Sequence, residues 1–86
     1  MGKVAITFRL MPEGLETDID KLQEDVKALL GDYVKSMQSK PFAFGLNALY
    51  VVALVPDEKG IADKLESSLG EIKEVQGVEV VGLDLL

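Results

Sequence analysis

Ala48-Leu49-Tyr50-Val51-Val52-Ala53-Leu54-Val55 is apolar at every position. A strand with one face in water alternates apolar and polar residues, so an unbroken run of this length predicts a central strand with something against each side. Pro56-Asp57-Glu58-Lys59-Gly60 ends the run, and a bend containing Pro41 and Gly45 precedes it. Near the N-terminus, Val4, Ile6, Phe8 and Leu10 alternate with Lys3, Ala5, Thr7 and Arg9, the period of two expected of a first strand with one buried face. Past Pro12-Glu13-Gly14, Thr17 is predicted as a helix N-cap with Asp18 and Asp20 in the first turn, where carboxylates suit the helix dipole. Ile19, Leu22, Val26, Leu29 and Leu30 then share one helical face, and Gly31 is a natural stop.

Tyr33 to Lys40 is polar and runs into Pro41, which predicts an edge strand. Ile61, Leu65, Leu69 and Ile72 mark a second amphipathic helix that Gly70 frays or ends early, and Val78, Val80 and Val81 mark a last strand running toward Leu86. The order βαββαβ predicts an α+β, ferredoxin-like sandwich: a four-stranded antiparallel sheet, its first and third strands central, with two helices on one face. Helices on one face leave the other open, with either Tyr50, Val52 and Leu54 or Leu49, Val51 and Val55 on it. That open face is a surface for another protein or for self-association.

The 86 residues are expected to form a single domain, 1–86, around one core. A chain of this size buries only about two-thirds of its unfolded surface, so every element is needed in that core. The net charge of −6 argues against nucleic acid and anionic membranes, and favours a basic protein surface as partner. Without Cys there is no disulfide and no thiolate, and without His the usual general base is missing. The alternating N-terminus lacks the apolar core of a signal peptide, and no stretch nears the ~20 apolar residues of a membrane span, so a cytoplasmic location is expected.

Few residues offer chemistry. Asp57-Glu58 falls far short of the oxygens a calcium ion takes and reads as a solvated turn, as do Asp18 and Asp20 at a helix start. Val75-Gln76-Gly77-Val78 looks like an acylphosphatase phosphate loop, but it precedes the last strand instead of following the first, and Glu79 stands where an anion cradle needs an Arg. Ser36, Ser39, Ser67 and Ser68 have no base to activate them. No metal and no cofactor is expected. Pro41-Phe42-Ala43-Phe44-Gly45-Leu46 remains, holding two of the three phenylalanines. Phenylalanines at a bend either plug the end of the core or wait for a partner.

Pro41-x-x-Phe44-Gly45-Leu46, then Leu49, an apolar strand and the acidic turn Asp57-Glu58-Lys59-Gly60, resembles the exchange domain of the elongation factor 1-beta family. The opening strand with Val4-Ala5, followed by Met11-Pro12 and acidic residues ahead of a helix, is also similar, and the length matches the short archaeal form. The resemblance covers essentially the whole chain. It implies a guanine nucleotide exchange factor for the GTPase elongation factor 1-alpha, acting by differential binding without covalent chemistry of its own. It also implies that Phe44 contacts the partner's nucleotide domain, with Gly45 and Phe42 beside it, and that the C-terminal Leu85 and Leu86 approach the magnesium and phosphate region. Eukaryotic members carry a Lys next to last; Leu85 stands there in this chain. The residues themselves leave two other classes open, a small ligand-binding regulatory module using the loop Met11-Pro12-Glu13-Gly14 and a dimerisation module using the open sheet face.

Overall fold

Strand and helix follow one another in the expected order in the computed structural model, which describes residues 2–86 apart from the side chain of Phe44. The elements are β1 (Lys3–Pro12), α1 (Ile19–Leu30), a 3-10 turn (Gly31–Tyr33), β2 (Val34–Pro41), a second 3-10 turn (Ala43–Gly45), β3 (Asn47–Pro56), α2 (Ile61–Gly70) and β4 (Val75–Leu85). The sheet is antiparallel throughout in the order β2-β3-β1-β4, the ferredoxin-like arrangement.

Alternation along β1 divides its faces. Val4, Ile6, Phe8 and Leu10 are buried while Ala5, Thr7, Arg9 and Met11 are only half-buried. The register sets Ile6 opposite Ala53, Phe8 opposite Val51 and Leu10 opposite Leu49, so the core sides of β1 and β3 form one apolar floor. Leu22, Val26 and Leu30 of α1 and Leu65 and Leu69 of α2 pack on that floor. Tyr50, Val52 and Leu54 are the set left on the open face.

Three details differ from the sequence expectation. The helix begins one residue later than a Thr17 cap requires, so Asp18 takes the N-cap, its Oδ1 accepting from the backbone N–H groups of Asp20 at 3.0 Å and Lys21 at 3.2 Å. Thr17 serves the preceding loop, its hydroxyl accepting from the Gly14 N–H at 3.4 Å. Leu29 is 46% exposed: the buried stripe centres on Val26, from which Leu29 is turned by about 60° at 3.6 residues per turn. Finally, β4 starts at Val75, three residues before the apolar run that marked it, because Val75 pairs with Pro12 and Gly77 with Met11.

A bulge in β4 matters for the C-terminus. Gly82 lies opposite Thr7 but Val80 opposite Phe8, so Val81 is an extra residue and the alternation resets. Leu83 and Leu85 are thereby paired with Ile6 and Val4, which belong to the helix-covered side, yet at the outer strand they stay 51% and 72% exposed.

Phe8→Ala is expected to lower unfolding stability by about 3–5 kcal/mol, the range for emptying a fully buried aromatic site. Leu29→Ala is expected to lower it by no more than about 1 kcal/mol, because the side chain is already half in water. Urea unfolding monitored by far-UV circular dichroism checks both.

Candidate functional site

The bend between β2 and β3 is a small closed turn. After the last ladder pair, Pro41 with Asn47, the Phe42 N–H donates to the Leu46 carbonyl at 2.7 Å and the Leu46 N–H donates to the Ala43 carbonyl at 3.2 Å. Gly45 closes it at φ 78°, in the left-handed region that favours glycine. Phe42 lies outside the core: it is 41% exposed, and its ring is 4.9 Å from the Arg9 guanidinium carbon, which belongs to the open face. The backbone of Phe44 lies within the turn. Its side chain lies outside the described residues, so its outward orientation stays an expectation.

Leu15, between β1 and α1, comes to the same place. It is 71% exposed, and its Cδ2 lies 3.5 Å from where a Cβ on Gly45 would stand. Sequence reasoning passed over it. The one signal was a leucine between Gly14 and Glu16, in a polar loop and outside both the strand and helix periods.

A row of side chains crosses the open face beside this turn. The register places Gln38, Tyr50, Arg9 and Glu79 side by side on β2, β3, β1 and β4. Arg9 Nη2 donates to Glu79 Oε1 at 2.6 Å, and Lys40 Nζ lies 5.1 Å from the centre of the Tyr50 ring. The Glu79 hydrogen bond raises the pKa of the Arg9 guanidinium, a group already charged at every physiological pH, above its ordinary value.

Leu85 and Leu86 are elsewhere. Leu85 pairs with Val4, and the Leu86 N–H donates to the Lys3 carbonyl at 2.9 Å, at the far end of β1 from the Phe42 turn. Counting along β1 from Val4 to Pro12, which is level with Asn47, the separation is about 26 Å at roughly 3.3 Å per residue. The five residues proposed for partner contact therefore form two surfaces, one at each end of a molecule 42 Å long. Both are apolar, with Leu15 and Phe42 at one end and Leu83, Leu85 and Leu86 at the other.

The remaining candidates stay quiet. Asp57 and Glu58 are exposed in a turn whose N–H groups already donate to Gly2 and Pro56. Val75 to Val78 lies within β4, with Val75, Gly77 and Val78 paired to β1, and is not a phosphate loop. Among the described residues, no three His, Cys, Asp or Glu side chains are grouped to hold a metal ion, and no helix is long and apolar enough to cross a membrane.

The family model for the EF-1 guanine nucleotide exchange domain matches residues 5–86, from within β1 to the residue after β4. The chain belongs to the EF-1 guanine nucleotide exchange domain family. It is similar to proteins named elongation factor 1-beta from Methanoculleus marisnigri, 40% identical over 81 residues and covering 94% of each chain, and from Archaeoglobus fulgidus, 34% identical over 88 residues and covering both chains completely. The protein of the same name from Methanococcoides burtonii is 39% identical over 85 residues, 96% of each chain. The chain is accordingly a guanine nucleotide exchange domain of translation elongation and not an enzyme with covalent chemistry.

Gly45→Ala is expected to destabilise the exchange domain by about 1–2 kcal/mol through its left-handed backbone. The new methyl would meet Leu15 only at ordinary contact, 3.5 Å, so the loss should persist in Gly45→Ala/Leu15→Ala. Denaturant midpoints of the single and double variants check this.

Proposed function

We propose that this exchange domain acts in the cytoplasm on elongation factor 1-alpha, binding its nucleotide-free state and so speeding replacement of GDP by GTP. The observation that supports this most directly is the family match across residues 5–86, on a sheet with an exposed apolar surface at each end. Exchange needs no acid, base or metal from the factor. It needs preference: whatever favours the nucleotide-free partner weakens, by reciprocity, that partner's hold on GDP. A thousandfold weakening is about 4 kcal/mol of coupling, within reach of one or two aromatic or aliphatic anchors.

Phe44 is the main anchor in this reading, with Phe42 and Gly45 shaping its turn and Leu15 beside it. Leu85 and Leu86 make a second, apolar contact. Where eukaryotic relatives have a Lys next to last, an aliphatic side chain cannot displace a cation by charge, so the C-terminus works here through burial. The net charge of −6 draws the factor toward a basic rim on the partner.

Release of labelled GDP from elongation factor 1-alpha tests each part. Phe44→Ala is expected to lower exchange at least about tenfold, or roughly 1.4 kcal/mol, while remaining folded. Deleting Leu85-Leu86 is expected to raise the concentration needed for half-maximal exchange, and Leu85→Lys to leave the maximal rate similar at low and high magnesium. Association should slow as salt rises. Full exchange by the truncated chain would remove the C-terminus from the interface, and an unfolded Phe44→Ala would make Phe44 a core residue instead of an anchor.

A further inference from the structure

Phe42 is held in place from the opposite edge of the sheet. Glu79 stands on the outer strand β4, Arg9 on the central strand β1, and Phe42 just past the end of β2. Glu79 Oε1 accepts from Arg9 Nη2 at 2.6 Å, and the same guanidinium stacks 4.9 Å from the centre of the Phe42 ring. A guanidinium is suited to both contacts at once: its edge donates in-plane to a carboxylate while its face lies against an aromatic ring. Between these groups, on β3, strand alternation puts Ala48 on the open face, where its small side chain leaves room for a ring to fold across. Ala48 is fully buried although both helices lie on the other side of the sheet.

Stability alone gives little reason for this arrangement. The Arg9 side chain is 22% exposed and that of Glu79 60%, and an ion pair open to water on one side contributes little to folding. The other open-face residues of β1 from Ala5 onward are Ala5, Thr7 and Met11, none of them charged.

We propose that Arg9 and Glu79 are positioning residues for nucleotide exchange: Glu79 fixes the guanidinium, the guanidinium fixes Phe42, and the turn from Phe42 to Leu46 is thereby held ready to bind the GTPase. This rests on the reading of that turn as a partner contact. A turn that is ordered only part of the time binds with an apparent dissociation constant raised by the inverse of that fraction, while the complex, once formed, is the same. Loss of the brace therefore weakens half-saturation and spares the maximal exchange rate.

The test is GDP release measured over a range of exchange-domain concentrations for wild type, Arg9→Lys, Glu79→Gln, Phe42→Ala, Phe44→Ala and Arg9→Lys/Phe42→Ala. Arg9→Lys keeps the charge and loses the planar face; Glu79→Gln changes only an exposed edge position, so it decides the matter should Arg9→Lys fail to fold. Each is expected to raise the half-saturating concentration about 3- to 10-fold with an unchanged maximal rate. The double variant should be no worse than Phe42→Ala alone. In proton NMR of the free protein, the Arg9 side-chain signals should be displaced by the Phe42 ring, and Glu79→Gln should return them toward ordinary values. If Phe42→Ala and Phe44→Ala both exchange normally, the reading of the turn as a partner contact fails. If either phenylalanine matters while Arg9→Lys and Glu79→Gln behave as wild type, or if the double variant is additive, the brace is overturned and the turn's role stands.

Discussion

β1 is hydrogen-bonded along both edges and covered by helices on one face only, and the rest of the molecule is arranged around that constraint. Paired to β3 on one side and β4 on the other, it carries Ile6, Phe8 and Leu10 into complete burial on a floor it shares with Leu49, Val51 and Ala53. The two helices are needed to cover that floor, so none is left for the opposite face. In so small a chain an uncovered sheet face is a consequence of size, and it is where the row from Gln38 to Glu79 has room to form.

The same strand sets the distance between the two apolar ends. One end is built by the β2–β3 turn and the loop after β1, the other by the last residues of β4, and a well-paired sheet joins them with little freedom to bend. In general, two contacts on a rigid spacer restrict a bound molecule more than either contact alone, because engaging the first fixes the position of the second. The bulge at Val81 belongs to this geometry: it sets which side of the sheet Leu83 and Leu85 occupy.

A chain without His or Cys can still change the state of another protein, since exchange is a redistribution of binding free energy between two complexes. What such a factor must supply is surface, held in shape before the encounter. The protein exposes aliphatic and aromatic residues at both ends of its sheet, with the open-face row lying beside one of them. Leu85 adds exposed, uncharged apolar area to one of these ends.

Periodicity alone was enough for the element order, for the edge placement of β2 and for the burial of Phe8, because alternation by two and by 3.6 records which side of each element meets the core. The Pro-Phe-Ala-Phe-Gly run also marked the turn that the structure places in the open, since a glycine at φ 78° and a proline both limit the backbone locally. Local pattern could not say which side of β3 faced the helices, because both sides are apolar; that depended on its register with β1. Nor could it place Leu15 beside Gly45, Arg9 under Phe42, or Leu85 a full strand-length from Phe44. These are relations between residues far apart in sequence. Only the pairing of strands and the packing of loops at their ends bring such residues together or keep them apart.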